Sequence, residues 1–322
     1  MVTAPTDPAP TEGAIVGNTD LTGRTAVVTG AGAGLGRAEA LALAAQGANV
    51  VVNDMGDAAD QVVAEIEALG RKAIAVKGDV GSWAMGEQLV DAAVDTFGSL
   101  DVVVNNAGIL RDTMLFNMSE QQWDDVIRVH LKGHAAVSRA AAVYFRSASK
   151  TAGGPVFGRV VNTASEAFLF GAAGQSNYAA AKAGIVALTL STSRGLERYG
   201  VTANAICPRA RTGMTTHVFA EDGDTQRLDI LAPERVASFV GYLTSPAAAG
   251  INGQVFVVYG DMVALMAAPT VENKFVAADG TFTVDELDAQ LTPYFEGRSP
   301  YQTYAAFSVA KLDTTGIETI TG

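Results

Sequence analysis

Residues 25–47 constrain the fold more than any other stretch, because a strand, a glycine turn and a helix stand there back to back. Thr25-Ala-Val-Val-Thr29 is a short β-branched run, and Gly30-Ala-Gly-Ala-Gly-Leu-Gly36 follows it directly. Arg37 to Gln46 then carries a helical pattern closed by Gly47. β-Branched residues favour strands, and a glycine after the last periodic residue marks a helix end. The glycines Gly30, Gly34 and Gly36 stand in a G-x-x-x-G-x-G spacing. Glycines let the backbone approach a pyrophosphate closely, and a helix N-terminus offers it unpaired N–H groups and a favourable dipole. The segment is predicted to hold a dinucleotide.

The alternation continues along the chain. Further apolar strands are predicted at Asn49–Asp54, Ala73–Lys77, Asp101–Asn105, Arg159–Asn162, Val201–Ile206 and Gln254–Val258. Helices are expected at 57–70 and 82–97, from a Ser119 cap to about Lys150, through Tyr178 to Tyr199, and from near Pro233. Seven buried strands alternating with helices imply an α/β fold: a doubly wound, mostly parallel seven-stranded sheet with helices on both faces and ligands at the strand carboxyl ends. Gly30, Asp54, Asp79, Asn106, Ser165 and Pro208 all fall at such ends. Asp54, 18 residues past Gly36, would accept hydrogen bonds from the adenosine ribose and repel a 2′-phosphate, which favours NAD over NADP. Asp79 is either a turn residue or a partner for the adenine amine. The Asn106 amide suits hydrogen bonds to neighbouring strand backbone, with the small Ala107 and Gly108 leaving room beside the ribose. Residues 1–20, rich in Pro and Thr, are expected to be a flexible leader, and 21–262 the dinucleotide-binding domain. Residues 263–322, with a short helix at Val284–Phe295, form a C-terminal extension expected to pack on the core or a neighbouring subunit. The polar stretch 209–231 is expected to be a substrate lid.

Tyr178 and Lys182 are spaced i, i+4, which on a helix puts phenol and ammonium on one face. An ammonium beside a phenol favours the phenolate and lowers its pKa. Ser165 lies 13 residues upstream, just past a strand that would deliver its hydroxyl to the same place. Hydroxyl and phenol meeting one substrate oxygen suit reversible alcohol oxidation: Ser165 binds the oxygen, Tyr178 moves the proton, and a cofactor moves the hydride. Lys182 is the third candidate catalytic residue.

Composition excludes several alternatives. A net charge of −12 argues against nucleic acid or an anionic membrane as partner. One cysteine, Cys207, forms no internal disulfide and fits a reducing, cytoplasmic setting. His130, His134 and His217 have no metal-ligand spacing, so no metal is expected. No uncharged apolar run is long enough for a membrane span.

The set T29-G-A-G-A-G-L-G36, N105-N-A-G108, Ser165 and Tyr178-x-x-x-Lys182 resembles the short-chain dehydrogenase/reductase family over roughly residues 22–260. The resemblance implies catalysis by Ser165, Tyr178 and Lys182. It also implies cofactor contacts from Gly30, Gly34, Leu35, Gly36, Asp54, Asp79, Val80, Asn106, Tyr178 and Lys182. V129-H-L-K-G133, R111-D-T-M-L-F-N-M-S119 and C207-P-R-A-R-T-G-M-T215 resemble the dehydrogenase unit of peroxisomal multifunctional enzyme type 2, and still more its stand-alone bacterial relatives. Those imply NAD-dependent oxidation of a 3-hydroxyacyl-CoA, including steroid side chains. A 17β-hydroxysteroid dehydrogenase, a 3-oxoacyl thioester reductase and a non-catalytic NAD sensor are the alternatives. A homodimer or homotetramer is implied by the family alone. Two departures stand out. His130 replaces the family's usual tetrad asparagine. Arg209 follows Pro208 where glycine is common, and with Arg211 it offers either a CoA phosphate contact or pairing with acids such as Glu221 or Asp222.

Overall fold

The computed structural model describes residues 18–213, 229–299, 303–306, 309 and 312. Most of the expected leader and lid lies outside the described residues. The chain runs β1 Thr25–Thr29, α1 Gly34–Ala45, β2 Asn49–Asp54, α2 Ala58–Ala68, β3 Ala73–Lys77, α3 Trp83–Phe97 and β4 Val102–Asn105. It continues with α4 Glu120–Val126, α5 Gly133–Ala152, β5 Gly158–Thr163, α6 Ala167–Phe170, α7 Ser176–Leu196 and β6 Val201–Arg209. The last elements are α8 Pro233–Leu243, β7 Val255–Tyr259, β8 Met262–Leu265 and α9 Val284–Glu296.

One sheet has the order β3-β2-β1-β4-β5-β6-β7-β8. Its first seven strands are parallel, and β8 is antiparallel to β7. The sheet is thus eight-stranded where the sequence suggested seven. β8 is only four residues long, turns back from β7 at Gly260 and is exposed at every second position, and its apolar run Met262–Leu265 is too short to stand out as a strand in the sequence. Side-chain alternation sends the strand residues to two cores, so the valine runs of β1, β2 and β4 feed both, as expected when both faces are covered. Val28, Val50 and Val104 pack with α1, α2 and α8, whereas Val27, Val51 and Val103 pack with α3 and α5.

The single helix expected from Ser119 to about Lys150 is in fact interrupted. Ser119 caps α4 as anticipated, accepting from the Gln122 amide at 3.2 Å while the Gln122 side chain accepts from the Ser119 amide. Between α4 and α5, Ile127–Lys132 form a π-helical turn. Such turns add a residue to the helix and shift which side chains share a face.

Glu39, on α1, is fully buried, and neither carboxylate oxygen has a hydrogen-bond partner. Burial pushes its carboxyl up to about 8. The folded protein therefore holds this proton between pH 4.5 and 8 while the unfolded chain releases it, so stability falls as pH rises through that window. Replacing Glu39 by Met should stabilise the protein by a few kcal/mol at pH 8 and by much less at pH 5, measured as urea unfolding free energies at the two pH values.

Candidate active site

The strand order reverses between β1 and β4, and the carboxyl ends diverge there into a cleft of about 430 Å³. Gly30 enters it with φ +62°, and a Cβ there would lie 2.7 Å from the Ala107 Cα. Only glycine lets β1 end this close to the chain leaving β4. The Asn106 side chain stitches the same junction, donating to the Thr29 and Gly30 carbonyls at 3.1 and 3.2 Å, and its amide donates to the Thr29 hydroxyl at 3.0 Å. A Cβ on Gly36 would clash with the Gly30 carbonyl and this amide, so Gly36 serves close packing while Gly30, Gly34 and Leu35 line the cleft.

No side chain caps the N-terminus of α1 at Ala33, and its first turn carries no acid. The cleft wall there offers backbone donors without a competing charge, which fits a pyrophosphate. Asp54 stands beside this turn. It accepts the Gly32 amide at 2.9 Å and the Met55 amide at 2.7 Å, leaving lone pairs for further donors. These residues fit the dinucleotide that the sequence implied. Asp79 and Val80 line the same wall. Asp79 closes a turn by accepting the Gly81 amide at 2.8 Å and pairs with Arg128. Burial opposes its ionisation, but the Gly81 amide and the Arg128 guanidinium hold its carboxyl below the usual range.

At the other end of the cleft, β5 delivers Ser165 and α7 delivers Tyr178 and Lys182. The Ser165 hydroxyl accepts the Ala167 amide at 3.2 Å. Lys182 is buried, its Nζ donating to the Thr163 carbonyl at 2.5 Å and lying 5.3 Å from the Tyr178 ring centre. Burial pulls the Lys182 ammonium down to about 7. Burial also pushes the Tyr178 phenol up to about 12, against an opposing contribution from Ser165. The lowering expected from the lysine neighbour is opposed here by desolvation of the phenol, the largest cause of its upward shift.

In the sequence His130 is a non-ligating histidine that departs from the family's asparagine and has no catalytic partner, and the structure gives it definite contacts. Its ring meets the Tyr178 ring edge-on at 5.2 Å. Its Nε2 accepts the Ile109 amide at 2.9 Å and lies 2.7 Å from the Ile109 carbonyl. Burial first, and then the Lys182 charge, drive its pKa down to about 3, so the ring is neutral. Thr29 and Thr163 were missed altogether, since a backbone carbonyl or a strand-end hydroxyl carries no distinctive sequence signal. Arg209 and Arg211 pair with Glu166 at 2.6 Å and Asp229 at 2.6 Å. The acids suggested from the sequence, Glu221 and Asp222, lie outside the described residues, and the Glu166 pairing withdraws Arg209 from the role of a CoA phosphate ligand. Among the described residues no cluster of three or more His, Cys, Asp or Glu could hold a metal, and no helix is long and apolar enough to cross a membrane.

Comparison with known proteins agrees with this geometry. Residues 24–223 match the family described as short chain dehydrogenase. The chain is 57% identical over 298 residues to the hydroxyacyl-CoA dehydrogenase ChsB1 of Mycobacterium tuberculosis, covering 89% of this chain and 93% of that one. It is 43% identical over 231 residues to the mouse peroxisomal multifunctional enzyme type 2, covering 69% of this chain but 30% of the larger protein. A crystal structure of a short chain dehydrogenase from Mycobacterium avium superposes with a TM-score of 0.77 at 43% identity, covering 87% of this chain and 97% of that one.

A Cβ on Gly108 would collide with the His130 ring. Gly108→Ala should therefore destabilise the wild-type protein by about 1–3 kcal/mol, yet cost little further in a His130→Ala background, where the space is empty. Urea unfolding of the four proteins in this cycle measures the coupling.

Proposed function

The chain belongs to the short-chain dehydrogenase family, and from that premise we propose that it oxidises the secondary hydroxyl of a 3-hydroxyacyl-CoA to a ketone with NAD. The observation that carries the chemistry is the convergence of Ser165, Tyr178 and Lys182 on the cleft whose far wall is the glycine turn. The 57% identity to a hydroxyacyl-CoA dehydrogenase supports the thioester class. Exposed apolar side chains at Met114, Leu115 and Phe116, on the segment that leaves the cleft-lining Ile109, support a bulky or steroid-like acyl group. A free 17β-hydroxysteroid is the second substrate class. Exposed Val143 on α5 and Leu190 on α7 favour pairing of these helices in a homodimer or homotetramer.

Ser165 binds the substrate oxygen, and Tyr178 takes its proton. NAD, when bound through Gly30, Gly34, Leu35, Asp54, Asp79, Val80 and Asn106, would supply the hydride acceptor, with Gly36 keeping the turn packed rather than touching the cofactor. Lys182 supplies the charge for the proton step. Burial alone favours neutral phenol and neutral amine, but a phenolate beside an ammonium offsets both desolvation costs together. The two groups thus form a coupled pair in which a proton leaves Tyr178 more readily when Lys182 is charged. His130, being neutral, adds no second positive charge that would expel the one on Lys182.

Tyr178→Phe should lower kcat at least a thousandfold with the NADH dissociation constant changed by less than threefold, read from NADH formation at 340 nm and from fluorescence titration. Near-normal turnover would remove Tyr178 from the proton step. Asp54→Ala should cut the kcat/KM preference for NAD over NADP by roughly tenfold or more; an unchanged ratio would exclude the carboxylate from cofactor choice.

A further inference from the structure

Arg209, at the end of β6, joins three segments that are remote in sequence. Its Nε donates to Glu166 Oε2 at 2.6 Å and its Nη2 to Glu166 Oε1 at 2.8 Å, a bidentate pair across 43 residues. The same Nη2 donates to the Val309 carbonyl at 2.8 Å, and Nη1 to the Leu312 carbonyl at 3.4 Å, across 100 and 103 residues. The guanidinium also lies 5.1 Å from the Tyr259 ring centre. The two paired side chains are only 17% and 10% exposed. A solvent-exposed pair would contribute little, but this one is largely desolvated and forked, the geometry in which arginine fixes a carboxylate in position.

What the pair fixes is next to the chemistry. Glu166 directly follows Ser165, and α6 starts one residue later. That short helix is held from behind as well: the Ala306 amide donates to the Leu169 carbonyl at 2.9 Å, and Val309 is buried in the same apolar cluster as Phe168 and Leu169. The loop bearing the Ser165 hydroxyl is therefore braced by β6 and by the C-terminal segment.

We infer that Arg209 is a positioning residue for Ser165, its fork on Glu166 holding the hydroxyl where the substrate oxygen arrives, with the Val309 and Leu312 carbonyls setting the fork. The inference rests on the dehydrogenase reading of Ser165. It assigns the C-terminal extension a part in catalysis although no residue described there lines the cleft.

Arg209→Lys keeps the charge and loses the fork. With NAD and a short 3-hydroxyacyl-CoA, the full-length variant should lose roughly 10- to 100-fold in kcat, as misplacement of a reacting group by a fraction of an ångström does. Its KM for NAD and its NADH affinity should stay within twofold of wild type, which also reports that it folds. Ser165→Ala should lose activity strongly, and Arg209→Lys added to it should cost no more than about twofold further, because the group being positioned is gone. Multiplicative losses, or an Arg209→Lys enzyme with wild-type kcat, would overturn the inference while leaving the function intact. A Ser165→Ala enzyme with wild-type kcat would instead overturn the assignment of Ser165, and the inference with it. Glu166→Gln, which keeps one acceptor for the fork, should fall between wild type and Arg209→Lys.

Discussion

The close approach of the chain ends leaving β1 and β4 is the constraint on which the rest of the molecule depends. Parallel strands send their connections to opposite faces at the point where their order reverses, so a crevice must open there. Its walls hold only if the two ends stay together. Gly30 lets them touch Cα to backbone, and Asn106 and the Thr29 hydroxyl tie them with four hydrogen bonds, two to carbonyls and two from amides. With that junction fixed, β2 and β3 on one side can only bring Asp54 and Asp79 to the cleft, and β5 and β6 on the other can only bring Ser165 and Pro208.

The chemistry then depends on how dry the far end of the cleft is. Tyr178, Lys182 and His130 are all driven toward their neutral forms by burial. A site of that kind holds little charge until a proton moves, and any charge that forms is felt strongly because water does not screen it. Lys182 keeps one fixed partner, the Thr163 carbonyl, which stabilises its ammonium without neutralising it. His130 fills the remaining space, bridging the Ile109 backbone to the edge of Tyr178 without adding charge.

Much of this was legible in the sequence, and the parts that were not share a cause. The glycine turn, the acids at strand ends, the Ser119 cap and the Tyr178–Lys182 spacing are local patterns, each set by a period or a backbone requirement within a few residues. The π-turn at Ile127–Lys132 was read as plain helix, since its residues have ordinary helical character and only packing selects the altered hydrogen-bond register. The same limit applies to Arg209. Nearness along the chain suggested Glu221 or Asp222 as its partner, yet the fold supplies Glu166 from the neighbouring strand end. Tyr178 meets the same limit: spacing identifies a charged neighbour, whereas the desolvation that opposes the phenolate is a property of the assembled cleft.

An acidic chain that binds anions poses its own electrostatic problem. With a net charge of −12, the long-range field opposes a dinucleotide or an acyl-CoA. Salt confines that field to about 8 Å at physiological ionic strength, so what a bound phosphate meets is the local arrangement. At the glycine turn this is the uncapped end of α1, with no acid in its first turn. The acids that do line the wall are already engaged, Asp54 by two amides and Asp79 by an amide and Arg128. Arg209 is likewise tied to Glu166, and Arg211 to Asp229, so the cationic groups near the mouth serve the protein's own carboxylates. Anion binding here therefore falls to backbone N–H groups, whose geometry is fixed by the β1–β4 junction. The constraint that opens the cleft is also the one that makes it receptive to phosphate.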